Sequence, residues 1–510
     1  MRTFSLALAG GAVFLVQSLS ATDFREVSLH KNITELEPLK GIILWRTTPE
    51  NTLNAYQSSI ALEYSYCLPC EVVTGKIGDK IQYNWSAFEA LLNDIASRGH
   101  QAVIRFRYEY PGESGKITGV ASCTQNVAGA TAVPLYIKNG DYGYEETYSE
   151  NPNNDGNTYY ADWRNTELQW FTKQFYADFA AKYDNDSRIA FFQVGFGHWS
   201  EYHIYGTPLN LGVNFPSKAY QKEFLQHIAS LFSETPWSIS KDVASSDYTS
   251  MLADPDLLKL NFGIFDDSFM HENHDGYNTW CWNALGENRW KTAPGGGEIS
   301  YYEYPYDQWN FLNPTGMYGR TWEEEIARLH ISYMVANDAV NGSIATPNRV
   351  KEASLAAGYK FEIVKYQVSD TEARISVKNK GVAPLYHNAY ITVKGVRSAA
   401  SLKGLLPNET KEYSVIGLQI AGNEIPELTI TSDKLPAGKI IPYCADLQGT
   451  TTSIFQAETL SFITQTENKL SFAGEKYTVN IVNLQGKILL STKEKSVDLT
   501  KIPAGCYFVS

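Results

Sequence analysis

Between residues 38 and 358, short apolar runs alternate with longer stretches whose apolar residues recur at helical spacing. A strand followed by a helix and then another strand implies parallel pairing, because only a crossover brings the chain back to the same edge of a sheet. The pattern predicts strands at 38–45, 59–66, 101–108, 188–195, 237–240, 260–265, near 292–298, and at 331–336. Helices are expected at 85–96, 166–183, 217–232, 247–258 and 347–357, with Ser86 placed to cap the first. Eight such units close on themselves, so the expected class is α/β: a (β/α)8 TIM barrel. A Gly-, Asn- and Tyr-rich insertion from about 111 to 163 is too long for a plain connection and is expected to be a functional loop.

At Gly358–Tyr359 the pattern changes to short alternating strands, at 360–368, 372–377, 389–393, 412–416 and 427–430. They predict a β-sandwich over 359–447, followed by a Thr/Gln/Ser-rich linker at 448–466 and a small all-β domain at 467–510. Several domains suit a chain of 510 residues, which exceeds one hydrophobic core. The N-terminus reads as a signal peptide over 1–21: Arg2, the apolar stretch Leu6 to Val16, then small residues Ser18-Leu19-Ser20-Ala21. The barrel domain is therefore expected to occupy 22–358. No later segment reaches the roughly 18 apolar residues of a membrane span, so a secreted or cell-surface location is expected. Cys67 and Cys70 stand in C-x-x-C spacing without a second such pair, which predicts a small local disulfide or two free thiols rather than zinc.

A net charge of −13 argues against nucleic acid as a partner. The 33 Tyr and 11 Trp suit a carbohydrate substrate, since flat rings stack on the apolar faces of pyranoses. They also suit an aromatic core, so the rim of the barrel has to decide. Active sites of TIM barrels lie at the C-terminal ends of the strands. Polar residues after the predicted strands are Arg46, then Arg107 and Glu109, then the run Gly197-His198-Trp199-Ser200-Glu201-Tyr202-His203, then Asp266-Asp267, and finally Glu298 after three glycines. Glycoside hydrolysis needs one protonated carboxyl and one ionised carboxylate flanking the scissile bond. Glu201 after strand four and Glu298 after strand seven are the expected pair, as acid/base and nucleophile, with Asp266 or Asp267 competing for the second role. The glycines before Glu298 are expected to let backbone and substrate approach closely. Arg46, Arg107, Glu109, Trp199, His203 and Asp267 are expected to bind substrate. His198, His203 and His271 lack metal-ligand spacing, and neither metal nor cofactor is expected.

Two resemblances add to this reading. The run 197–203 after Phe192-Gln193-Val194-Gly195 resembles the G-x-W-G-E-W-H segment of a bacterial family, the domain of unknown function 4832. Leu329-His-Ile-Ser-Tyr-Met334, Ala356-Ala-Gly-Tyr-Lys-Phe361 and Val377-Lys-Asn-Lys-Gly-Val-Ala-Pro-Leu-Tyr386 are similar to its later half. Ser200 and Tyr202 depart from the motif, which has Gly and Trp there. That family is similar to barrel glycosidases, which implies the acid role for Glu201. The C-terminal tail, with Tyr477-Thr-Val-Asn-Ile-Val-Asn-Leu-Gln-Gly-Lys487 and Leu499-Thr-Lys-Ile-Pro-Ala-Gly-Cys-Tyr507, resembles the sorting domain of type IX (Por) secretion in Bacteroidetes. It implies the type IX machinery as a partner.

Overall fold

The computed structural model describes residues 24–112, 123, 127–336, 343–449 and most strands of 463–509. The expected signal peptide and most of the expected linker lie outside the described residues. Two compact units are present, one spanning Glu26–Gln448 and the other holding the described strands of 463–509.

In the larger unit, eight parallel strands close a barrel. In chain order they are Gly41–Trp45, Leu62–Cys67, Gln101–Phe106, Ile189–Val194, Trp237–Ser240, Gly263–Phe269, Gly295–Ile299 and Tyr333–Val335. The barrel is thus the expected (β/α)8 fold. Helices Ser86–Ser97, Thr166–Tyr183, Lys218–Leu231, Tyr277–Gly286, Trp322–Leu329 and Pro347–Ala356 pack outside it. Outward residues such as Ile42, Leu44, Ile104, Phe106, Phe192 and Val194 share one core with these helices. Inward residues Ile43, Val103, Phe191 and Val335 belong to a second core.

Three local expectations change. Ser86 is the first helical residue, and its amide is instead held by the Asn84 side chain at 3.1 Å. The helix expected over 247–258 is reduced to Pro255–Leu258, because Pro255 has no N–H to continue an earlier turn and takes the first helical position, with Asp254 as cap. The sixth strand starts at Gly263 and runs to Phe269, so Asp266 and Asp267 sit within the strand and not beyond it.

The sandwich forms after residue 360 with strands Phe361–Val368, Glu372–Asn379 and Thr410–Ile416 in one sheet and Tyr390–Val393 beside Leu428–Thr431 in the other. Leu29–Lys31 pairs antiparallel with Cys444–Leu447. The chain between the expected signal peptide and the first barrel strand therefore completes the sandwich sheet, not the barrel. The sandwich stops the N-terminal end of the barrel: Phe361, Ile363, Leu385 and Tyr386 share a core with barrel residues Tyr64, Phe191 and Tyr333. His387 lies 5.5 Å from the Phe191 ring, and burial pushes its imidazole down to about 3. In the smaller unit the described strands pair antiparallel, Lys469–Phe472 with Ile463–Thr466 and Ser496–Asp498, and Val479–Asn483 with Ile488–Thr492 and Tyr507–Val509.

Cys70 pairs with Cys123 across a sequence separation of 53, and Cys67 is a free, buried thiol. The local Cys67–Cys70 bridge is not formed. Cys70 lies on the short helix Pro69–Val72, where it faces the insertion in a small core with Ala130 and Ala132.

Candidate active site

Above the apolar floor the barrel interior turns polar, and the change follows from strand periodicity. Inward-facing Tyr64, Arg105, Gln193 and Tyr333 meet there through their side chains. Tyr64 donates to the Gln193 side-chain oxygen at 3.0 Å, and the Gln193 amide donates to the Tyr333 hydroxyl at 2.9 Å. Arg105 Nε donates to the same Gln193 oxygen at 2.8 Å. This layer holds a fully buried guanidinium, flanked by the Phe265 ring at 4.1 Å, and aims its two terminal nitrogens upward.

Those nitrogens meet the expected pair. Arg105 Nη1 donates to Glu201 Oε1 at 2.5 Å and Nη2 to Glu298 Oε1 at 3.0 Å. Both glutamates are buried, 6% and 4% exposed, and both line a cleft of about 650 Å³ at the C-terminal end of the barrel. Tyr66 also donates to Glu201 Oε1, at 3.4 Å. Burial raises the Glu201 carboxyl well above the ordinary range. Arg105 opposes this, and the nearby charges of Glu298 and Asp267 add to it. Burial raises Glu298 too, against Arg105 and with Asp267. Four of the acids lining the cleft, Glu201, Glu298, Asp242 and Asp267, face two permanent cations, Arg105 and Lys241. Retaining a proton on a glutamate relieves that imbalance.

The loop carrying Glu201 is bent tightly. Gly197, Trp199, Ser200 and Tyr202 all have left-handed backbone, with φ of 79°, 52°, 63° and 63°. Three non-glycine residues so placed within four positions store strain, a feature typical of functional loops. The turn is held by Ser200 Oγ donating to the Phe106 carbonyl at 2.9 Å and by buried Tyr202 packed between Phe196 and Phe215. The glycines before Glu298 serve the expected close approach of backbone, and of a neighbouring ring, rather than of substrate. A Cβ on Gly296 would lie 2.4 Å from the Tyr333 ring, and one on Gly297 would lie 2.0 Å from the Asp266 carbonyl. They admit neighbouring protein, not substrate.

Of the residues expected to bind substrate, Trp199, His203 and Asp267 line the cleft. His203 Nδ1 lies 3.2 Å from Asp242 Oδ2, and its ring stacks on Tyr205. Asp267 is ion-paired to buried Lys241, which also bonds Asp242 at 3.0 Å. Burial opposes the Lys241 charge, yet Asp267 and Asp242 hold that ammonium well above its ordinary pKa.

Arg46, Arg107 and Glu109 are not among the cleft residues. Arg46 turns outward to Asp94, at 3.2 Å on helix Ser86–Ser97, and Trp45 lines the cleft in its place. Arg107 is buried with its guanidinium 4.3 Å from the Tyr110 ring centre, and Tyr110 is the lining residue. Glu109 is buried beneath the insertion, accepts from the Ala161 amide at 3.1 Å, and is pushed up to about 8 by burial.

Asp266 is no competitor for the second carboxylate role. It points outward and accepts from Trp282, Asn278 and His274, at 3.0, 2.8 and 3.1 Å. The Lys241 charge, with the His274 and Trp282 contacts, holds its carboxyl below the ordinary range despite burial. His198 is buried against Tyr160, with Nε2 2.8 Å from the Tyr160 hydroxyl, and burial pushes it down to about 3. His271 stacks on Tyr302. Glu201, His203 and Asp267 present atoms close enough to surround a cation, but Lys241 already serves Asp267 as its counter-charge.

Sequence reasoning missed Arg105, Lys241 and Asp242. Arg105 had a signal, a lone charge inside the apolar run Gln101-Ala-Val-Ile-Arg-Phe106. Lys241 and Asp242 directly follow the fifth strand. The insertion contributes Asn153 and Asp155 to the cleft wall.

No family model matches the chain, and no curated protein matches it. Among solved structures it is similar to endo-glycoceramidase II from Rhodococcus sp., with 10% identity and a TM-score of 0.38 over 78% of this chain and 100% of that one. It is similar to an endo-1,4-beta-mannanase from Rhizomucor miehei, at 9% identity and TM-score 0.38 over 65% and 99% of the two chains. A third likeness is the catalytic domain of a beta-amylase from Paenibacillus polymyxa, at 12% and 0.34 over 62% and 97%. Likeness this distant carries neither activity nor substrate across.

Proposed function

We propose that the chain is a secreted glycoside hydrolase that cleaves a β-linked polysaccharide or oligosaccharide with retention of configuration. The observation that carries this reading is the pair Glu201 and Glu298, buried at the ends of strands four and seven and clamped by one guanidinium. Carboxylates held by neighbouring nitrogens of one Arg cannot stand far apart. The clamp is compatible with the separation of about 5–5.5 Å used by retaining enzymes, and retention is the reading supported by the placement of the pair after strands four and seven.

Glu201, the more strongly raised of the two, gives its proton to the leaving glycosidic oxygen. Glu298, ionised beside Arg105, attacks the anomeric carbon and forms a glycosyl ester. Glu201 then takes a proton from water as that water displaces Glu298, which restores both groups. Trp45, Tyr66, Trp199 and Tyr205 offer faces for sugar rings, and His203, Asp242, Lys241 and Asp267 offer partners for hydroxyls. The signal peptide and the type IX sorting tail deliver the enzyme to the outside or the cell surface, and the barrel with its sandwich stands in the domain of unknown function 4832 family.

The test is reducing-sugar release from a panel of polysaccharides by wild type, Glu201→Gln and Glu298→Gln. Each variant is expected to stay folded and lose at least about 100-fold in rate, the low end of what a positioned acid contributes. Wild type that binds a glycan and cleaves none would make the barrel a binding scaffold and sink the assignment.

A further inference from the structure

Among the described residues nine aromatic side chains are exposed, and seven of them lie between Tyr277 and Trp309. These residues belong to two neighbouring segments, after the sixth and seventh strands. Both segments begin inside the cleft and run out of it. Tyr277 lines the cleft and stacks on Trp280, with ring centres 5.7 Å apart and planes 28° apart. Tyr301 lines it too and stacks on Tyr304, at 6.3 Å and 10°. Tyr302, 76% exposed, lies nearly parallel to His271. A core does not need these rings, and a soluble surface rarely gathers so many in one place without a use.

We propose that this strip extends the cleft into further subsites, so that the enzyme holds several consecutive units of a neutral glycan chain. The proposal rests on the glycosidase reading and adds the substrate's charge and length. Near-parallel rings present flat faces, and Tyr and Trp join an apolar face to a polar edge, which matches a pyranose with its ring of hydroxyls. No exposed Leu, Ile, Val or Phe lies between Tyr277 and Trp309, as a membrane-inserting patch would require. Residues 271–288 and 292–309 contain no Lys or Arg, while Glu272 and Glu303 are present. Together with the acids of the cleft, this disfavours uronic or sulfated chains and anionic lipid.

The test reads binding, not turnover, on full-length Glu201→Gln protein. The probes are di- and hexasaccharides of β-1,4-glucan, β-1,4-mannan and β-1,4-xylan, with hexagalacturonate as the charged counterpart. At least one neutral hexasaccharide is expected to bind tenfold or more tighter than its disaccharide. Trp280→Ala with Tyr304→Ala is expected to remove that length dependence, and Tyr304→Phe to retain it. Both side chains are about half exposed or more, so truncation spares the core. Length dependence that survives the double substitution overturns the proposal. So does tighter binding of hexagalacturonate, or failure of all the neutral hexasaccharides to bind. Ring-dependent cosedimentation with phosphatidylcholine vesicles also overturns it, in favour of a lipid surface. If neutral chains bind through the rings and the wild type cleaves none of them, the subsites stand and only the hydrolase reading falls.

Discussion

Replacing Arg105 with Met tests the electrostatic design of the site directly. The guanidinium is fully buried and donates to Gln193, Glu201 and Glu298, at 2.8, 2.5 and 3.0 Å. Methionine keeps an unbranched apolar stem and removes the fork. Near neutral pH the variant leaves Glu201, Glu298, Asp242 and Asp267 with Lys241 as the permanent cation among the cleft residues. Removing one partner of a buried ion pair costs about 3–5 kcal/mol, and a loss of that size in unfolding free energy is expected at pH 8.

The pH dependence follows from the direction of the shifts. Burial already raises both glutamates in the folded protein, and Arg105 opposes it. Without Arg105 they rise further. A carboxyl whose folded pKa is raised binds its proton more tightly in the native state. Stability is then greatest below the unfolded value of about 4.3 and falls as pH climbs from there through the folded pKa. The deficit of the variant should therefore be small near pH 4.5 and full at pH 8. Urea unfolding followed by tryptophan fluorescence at the two pH values measures it, with the slope m unchanged. An equal loss at both would trace the cost to packing and refute the charge argument, as would no loss at pH 8. Arg105→Lys restores a cation but only one point of attachment, so it should recover the pH behaviour without recovering the full stability.

Glu109→Gln is expected to stabilise the protein by a few kcal/mol at pH 8 and by little at pH 4.5. Burial pushes the Glu109 carboxyl up to about 8, and the native state loses stability between about 4.3 and that value. Thermal unfolding at the two pH values checks it. Cys123→Ser opens the bridge to Cys70 and should lower unfolding free energy by up to about 4 kcal/mol on the chain-entropy account of a 53-residue separation, read by denaturant midpoint under non-reducing conditions. For hydrolysis, kcat/KM should be bell-shaped in pH, with both limbs above the ordinary glutamate range because burial raises both carboxyls. Glu298 must lose its proton for the acid limb, and Glu201 must keep its own up to the basic limb. A profile that is flat from pH 4 to 9 would contradict the assignment.

Strands buried on both faces read as unbroken apolar runs. Such runs locate the barrel strands well and say nothing about which residues point inward. That is why the strand positions and the placement of Glu201 and Glu298 at the rim were legible, while Arg105 went unnamed beside Arg107 and Asp266 competed with Glu298. The shift of the sixth strand, by three residues at its start and four at its end, had the same origin, since Leu260-Asn-Phe-Gly-Ile-Phe265 is apolar at both ends and marks no boundary. The pairing of Leu29–Lys31 with the sandwich and of Cys70 with Cys123 depends on contacts hundreds and tens of residues away, which local pattern does not encode.

One inference was nevertheless within reach of the sequence. A charge inside an apolar barrel strand is almost never left unpaired. Arg105 therefore demanded buried carboxylates from other strands. The strand ends offered few of them: Glu201, Asp242, Asp266, Asp267 and Glu298. Asp266 and Asp267 are adjacent and must point to opposite faces of their strand, so at most one could serve the interior. That one and Asp242 meet a second cation, Lys241, after the fifth strand. Glu201 and Glu298 are then left to Arg105, as the structure has it. The clamp that positions the two glutamates also keeps their combined charge tolerable, so the chemistry of the site and the stability of the barrel draw on the same guanidinium.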